Sequence, residues 1–355
     1  MAPSLTSVVE QPYFTHASHV KSSLHTAQDP AAARYVANGW ADLPISGWSS
    51  SIHPLEPEIT RDVDSYFLQH WPFKTEKDRK KFVLAGFTRV TCLYFPLAED
   101  DRIALASKLL TILFLIDGMF TSPYNLLEDM SFEDGAAYNS HLMPIARAEV
   151  LPDRNIPVEW MWYDLWQDMR AKDSQLADEI LEPTFTFMRA QTDKSRLTVK
   201  ELGHYLTYRE KDVGKALLCA LMRFSMKLHL SSEEIASVVP VEQNCAKHLS
   251  VVNDILSWDK EYIQFHEGHP EGSAICSAVQ VLSTETCLPY AACKRVLWIL
   301  CREWEKEHDA LVSKRLSSTA NPASKDLKTY MKGLEYQMSG NEYWSLTTLR
   351  YNSPN

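Results

Sequence analysis

From residue 58 onward the apolar positions of this chain recur at intervals of three and four, the repeat of helices that each bury one face. Val213, Ala216, Leu217, Ala220, Leu221, Phe224 and Leu228 form one such stripe. Val296, Leu297, Leu300, Trp304 and Leu311 form another. Further helices are predicted near 58–71, 76–90, 100–117, 157–170, 173–191, 200–210, 232–238, 241–264, 272–283 and 325–338, with a kink at Pro183. Leu109 to Ile116 is apolar all round apart from Thr111, which predicts a central helix enclosed by others. No sustained alternation indicates a sheet, and no internal repeat is visible. An all-α bundle follows, and bundles of this kind can hold a deep pocket between their central helices.

Composition narrows the picture. The chain has 355 residues, is 45% hydrophobic and carries a formal net charge of −10. Without a dense basic stripe, such a surface repels nucleic acid, although bridging cations would still let it hold a polyanion. The seven cysteines, at 92, 219, 245, 276, 287, 293 and 301, include no CxxC pair, so reduced, mostly buried thiols and a cytoplasmic location are expected. The longest apolar run is too short to span a bilayer, and no secretory leader pattern opens the chain. Residues 1–50, rich in Ser, Ala, Pro and Thr, are expected to form a disordered tail ahead of one helical domain over 51–355.

Polar residues within apolar helices carry the candidate chemistry. Asn253, Ser257 and Glu261 stand at i, i+4 and i+8, which drifts only about 80° around a helix. Their amide oxygen, hydroxyl and carboxylate suit a hard divalent cation. The same spacing equally fits a solvated face with Asp254 and Lys260 exposed. Asp117 closes the apolar run and needs a metal or basic partner if buried; otherwise it is a plain helix-terminal residue. Arg209 and the near-terminal Arg350-Tyr351 pair are the basic candidates, although a terminal pair of this kind is ordinarily a frayed surface feature. Tyr94, Phe114, Phe187, Trp298, Trp304 and Trp344 are either core or walls around a hydrocarbon cation, whose charge ring faces stabilise by about 0.5–2 kcal/mol each. GxGxxG, P-loop, HExxH and GxSxG motifs are absent.

The stretch from Asn253 to Glu261 resembles the NDxxSxxxE metal motif of class I terpene synthases, and the likeness extends to fungal aristolochene synthases. It runs from about His53 to Tyr351, through Val63–Trp71, Val90–Pro96, Leu109–Asp117, Val150–Arg154, Ile180–Gln191, Tyr208–Lys215, Gly333–Asn341 and Thr347–Tyr351. The resemblance implies an α-helical terpenoid synthase fold, farnesyl diphosphate as substrate and three Mg²⁺ ions. Carried over, Asn253, Ser257 and Glu261 hold one ion and Asp117 the other two. Arg209, Lys260, Arg350 and Tyr351 hydrogen-bond the diphosphate, and Tyr94, Phe114, Phe187 and Trp344 line the cavity. The implied reaction is cyclisation to a bicyclic sesquiterpene, aristolochene by way of germacrene A. A related cyclase with a daucane- or germacrene-type product is the alternative, with Trp258 and Tyr343 as positions to examine. The resemblance also points to a homodimer.

One departure cuts across this pattern. The family places a DDxxE-type motif after the apolar run, whereas eight residues, 118–125, stand here where one Asp is expected, before Leu126-Leu127-Glu128 resumes the motif. Asp117 and Glu128 are eleven residues apart, roughly 16 Å along a continuous helix instead of about 6 Å. Either the insert loops out and returns Glu128 to the metal, or that side of the site is damaged. A Gly118-Met119 codon pair can contain GTATG, which resembles a fungal intron start, so a misassigned splice junction is one origin for the insert. A weakened or inactive homologue that still binds diphosphate, and a helical scaffold protein, are the remaining readings.

Overall fold

The computed structural model describes residues 31, 38–40, 42–116, 131–266 and 275–352, except the side chains of 264 and 352. Asp117, the 118–125 insert and Glu128 lie outside the described residues. Among those described, the elements are helices: α1 (Glu56–His70), α2 (Glu76–Ala85), α3 (Phe87–Tyr94), α4 (Ile103–Ile116), α5 (Phe132–Ala146), α6 (Pro157–Lys172), α7 (Ser174–Gln191), a 3₁₀ turn (Lys194–Leu197), α8 (Leu202–Asp212), α9 (Lys215–Ser225), α10 (Ser232–His266), α11 (Ala278–Thr286), α12 (Tyr290–Leu316), α13 (Lys325–Thr347) and α14 (Leu349–Asn352). Polar caps open several of them. Thr75, Ser131, Asp173, Ser277 and Ser324 each accept a backbone N–H from the first turn, satisfying donors that would otherwise be orphaned.

Several elements differ from the sequence reading, among them the helix expected over 325–338, which runs on to Thr347. The single helix expected over 76–90 is two, because Gly86 adopts a left-handed φ of 64° between α2 and α3. The separate helices expected over 232–238 and 241–264 are one, with Pro240 inside α10. A mid-helix proline costs about 3 kcal/mol, and the packing of α10 against both α12 and α13 offsets it. No periodicity announced α5, whose sequence mixes Gly135, Pro144 and scattered polar residues.

The expected central helix is present. Ten residues of α4, from Ile103 to Ile116, are buried. Two apolar clusters flank the bundle's middle. The larger gathers α1 to α7, α9, the first half of α10 and α13; the smaller gathers the second half of α10 with α11 and α12. Part of the expected N-terminal tail belongs to this smaller core. The Trp40 ring lies 5.0 Å from that of Trp298, which donates its indole N–H to the Pro44 carbonyl at 3.0 Å, while Arg295 pairs with Asp42 at 2.6 Å. Burial of the Trp40 indole against Trp298 offsets part of the entropy lost in ordering this segment.

An ionic cluster ties α10, α12 and α13 together. Buried Arg302 donates to both oxygens of Glu342, lies 3.2 Å from Glu305, and stands 4.8 Å from the Trp298 ring. His248 approaches both carboxylates at 3.6 Å.

Candidate active site

A cavity of about 220 Å³ opens at the seam between the two apolar clusters. Leu110, Leu113 and Phe114 from the buried α4 form one wall, and Phe187 on α7, Val213, and Leu217 and Leu218 on α9 form another. Tyr94 at the end of α3 and Trp344 on α13 complete its apolar part. All four aromatic residues assigned to the cavity by resemblance therefore reach it. Trp298 and Trp304 do not line it; Trp298 belongs to the smaller core.

Neighbours lock these rings. Phe114 stacks on Phe87 with centroids 4.7 Å apart. The Tyr94 hydroxyl donates to Asn341 Oδ1 at 2.7 Å, and Asn341 donates in turn to the Leu249 carbonyl at 3.2 Å. Burial pushes the Tyr94 phenol well above its usual range, so it keeps its proton. Gly214, at φ 75°, lets the chain turn beneath Phe187, whose Cδ2 lies 3.1 Å from where a Cβ would stand.

The polar part of the lining groups Arg196, Arg209, Asp212, Asn253, Glu261, Arg350 and Tyr351. Asn253 joins the two candidate anion ligands: its Oδ1 accepts from Arg209 at 3.1 Å, and its amide donates to the Tyr351 hydroxyl at 2.8 Å. Arg350 and Tyr351 are thus part of the cavity, not a frayed end, carried there by α14 with the Arg350 guanidinium 5.4 Å from the Tyr351 ring centroid. Ser257 is buried at 2% exposure and its hydroxyl has no hydrogen-bond partner among the described residues. Lys260 sits beside Glu261 on α10, half-buried, and does not line the cavity.

The reading of this helix face as solvated does not hold. Asp254 is 1% exposed. It accepts from the Tyr205 hydroxyl, from Arg209 at 3.0 Å and from the Ala278 amide at 2.9 Å. Burial pushes its carboxyl up to about 6, against the pull of Arg209, Tyr205 and the amide. Arg209 also donates to Asp212, so two carboxylates aim its guanidinium. Asp254, Tyr205, Asp212, Asn341 and Arg196 were all missed from sequence. Only Asp254 carried a signal, its place beside Asn253; Tyr205 lies 49 residues away from it in the chain.

The donor set fits a divalent cation. An unpartnered, buried hydroxyl at Ser257 is costly unless something coordinates it. It stands between Asn253 and Glu261 on one helix face, and all three offer oxygen. The positive groups beside them suit an anion that the metal bridges to the protein.

Comparison with known proteins agrees with this chemistry. The family model for terpene synthase family 2, C-terminal metal binding, matches residues 108–307. The aristolochene synthase of Penicillium roqueforti is 57% identical over 309 residues, covering 87% of this chain and 88% of that protein. The aristolochene synthase of Aspergillus terreus is 57% identical over 315 residues, covering 89% and 96% respectively. The crystal structure of the Penicillium roqueforti enzyme superposes with a TM-score of 0.76 at 56% identity, covering 86% of this chain and 99% of that one. Among the described residues no helix is long and apolar enough to cross a membrane.

Proposed function

The chain belongs to the terpene synthase family, and from that premise we propose that it cyclises farnesyl diphosphate to a bicyclic sesquiterpene, aristolochene, with release of diphosphate. The observation that carries this reading is the joining of two kinds of wall in one cavity. Asn253, Arg209 and Tyr351 form a hydrogen-bonded polar cluster, and Tyr94, Phe114, Phe187 and Trp344 face the same space.

Each part has a chemical task. Arg209, Arg350 and the Tyr351 hydroxyl supply donors for the negative charge that grows on the departing diphosphate. Asn253, Ser257 and Glu261 would hold Mg²⁺, with Asp117 proposed for further ions to make three; the metal, when bound, neutralises the leaving group. The aromatic rings exclude water, which would quench an allylic cation to an alcohol, and their faces favour positive charge. The fixed rings also set the folding of the fifteen-carbon chain. Competing transition states that differ by about 1.4 kcal/mol change a product ratio tenfold, so rigidity in the walls is what selects one hydrocarbon. Lys260 is proposed as a diphosphate ligand from its place beside Glu261. A homodimer is proposed as the solution state, which light scattering after size exclusion tests.

Incubation with farnesyl diphosphate and Mg²⁺, followed by analysis of volatiles, tests the activity. One bicyclic hydrocarbon supports the proposal and identifies the product; a daucane or germacrene keeps the reaction class and replaces the product; linear alcohols or no turnover refute it. A second reading rests on the eight residues that interrupt the acidic motif after Asp117: a protein that binds diphosphate but turns over slowly. Sequencing the mature transcript and repeating the assay on a chain without the insert separates the two.

A further inference from the structure

Among the described residues three arginines line the cavity, Arg196, Arg209 and Arg350, and in all three the guanidinium Nε–H is buried without a hydrogen-bond partner there. Leaving one such charged donor unmet is expensive; leaving three around one space marks a place for an anion with several oxygens. Arg209 and Arg350 already carry that role in the proposed function. Arg196 does not, and no feature of its sequence context drew attention to it.

We infer that Arg196 is a third guanidinium ligand for the substrate's diphosphate, an inference that rests on the proposed function. It sits on the 3₁₀ turn Lys194–Leu197, an element separate from the helices that bear the other donors. Its one side-chain hydrogen bond among the described residues is a long one, 3.3 Å from a terminal nitrogen to the Gln191 carbonyl. The nearest acid on the cavity wall, Asp212, is taken up by Arg209 and by the Tyr208 hydroxyl, and Arg196 forms no ion pair among the described residues. Its Asp193-capped turn positions it; Asp193 accepts the Ser195 amide at 2.8 Å. A fork of donors held at the cavity wall, near Asp212 but in no ion pair with it, fits a diphosphate, whose oxygens accept planar, bidentate bonds that a lysine cannot copy.

Titration calorimetry with inorganic diphosphate and Mg²⁺ tests this on the full-length protein. Arg196→Ala is expected to weaken diphosphate binding about 10- to 100-fold, the range for a hydrogen bond to a charged group. Its melting temperature without ligand should match the wild type, and the product pattern from farnesyl diphosphate should stay the same while KM rises. Arg196→Lys should recover part of the affinity. Arg61→Ala, on the exposed face of α1, should change nothing. If the wild type binds diphosphate and turns over farnesyl diphosphate while Arg196→Ala binds as tightly, the inference fails and the proposed function stands. If Arg196→Ala melts lower without ligand and Arg196→Lys restores no affinity, the role is structural and the inference also fails. If the wild type neither binds diphosphate nor turns over, the proposed function falls and this inference with it.

Discussion

Replacing Ser257 with alanine should make the ligand-free protein more stable and the enzyme worse. Most buried serines behave the other way, because their hydroxyls are hydrogen-bonded. Ser257 Oγ is buried with no partner among the described residues, and an unmet buried hydroxyl costs about 1–3 kcal/mol. Alanine removes the oxygen and leaves the helix-compatible Cβ in place, so part of that cost is recovered and the apo melting temperature rises. The loss falls on metal binding. If the hydroxyl is one of three oxygens around a cation, the Mg²⁺ concentration for half-maximal activity should rise at least about tenfold, the lower end of what perturbing a metal site typically costs. Linkage gives a second readout. Ligand at 100 times its Kd stabilises a protein by about 2.7 kcal/mol, and each tenfold loss of affinity removes about 1.4 kcal/mol of this. Differential scanning fluorimetry with and without Mg²⁺ and diphosphate should therefore show the two proteins changing order: Ser257→Ala melts higher alone and lower with ligand. A variant that melts lower alone and keeps its Mg²⁺ requirement would refute the reasoning, since the hydroxyl would then be a structural hydrogen-bonding group.

Other outcomes follow from the packing. A Cβ on Gly340 would stand 2.5 Å from the Leu93 carbonyl oxygen, so Gly340→Ala must push α13 off α3; a loss of about 1–3 kcal/mol in urea unfolding is expected, with a changed product ratio because Tyr94 and Asn341 sit beside the wedge. Arg302→Met leaves Glu305 and Glu342 buried without their cation and should cost about 3–5 kcal/mol, while joint replacement of all three by apolar residues should restore most of it. Acid should destabilise the fold earlier than carboxylate loss alone predicts. Burial holds His248 at about 3 and His308 at about 4, both below the ordinary 6.5, so the unfolded chain takes up protons that the folded one refuses. Their contribution is complete above about pH 6.5 and declines as pH falls, by about 2 kcal/mol per histidine at about pH 5, offset in part by Glu305, whose pKa burial raises. Equal urea midpoints at about pH 7.5 and about pH 5 would contradict this.

What the sequence determined by itself is local or periodic. Apolar stripes marked most helices, the all-round apolar run marked α4, and one face of a helix assembled Asn253, Ser257 and Glu261 because positions four apart stack on a helix whatever surrounds it. The resemblance then assigned roles to Arg209, Lys260, Arg350, Tyr351 and the four aromatic residues, and of these all but Lys260 line the cavity. Tertiary structure decided which polar residues are buried, and against what. Asp254 looks as soluble as Asp259 in the sequence, yet one is buried under Tyr205 and Arg209 and the other is exposed, because α8 and α11 cover only one side of α10. Tyr94 and Asn341 bond across 247 residues, and Arg196 reaches the cavity from a turn with no periodic signal. Partners so far apart are chosen by how helices stack, and no spacing along the chain encodes that choice.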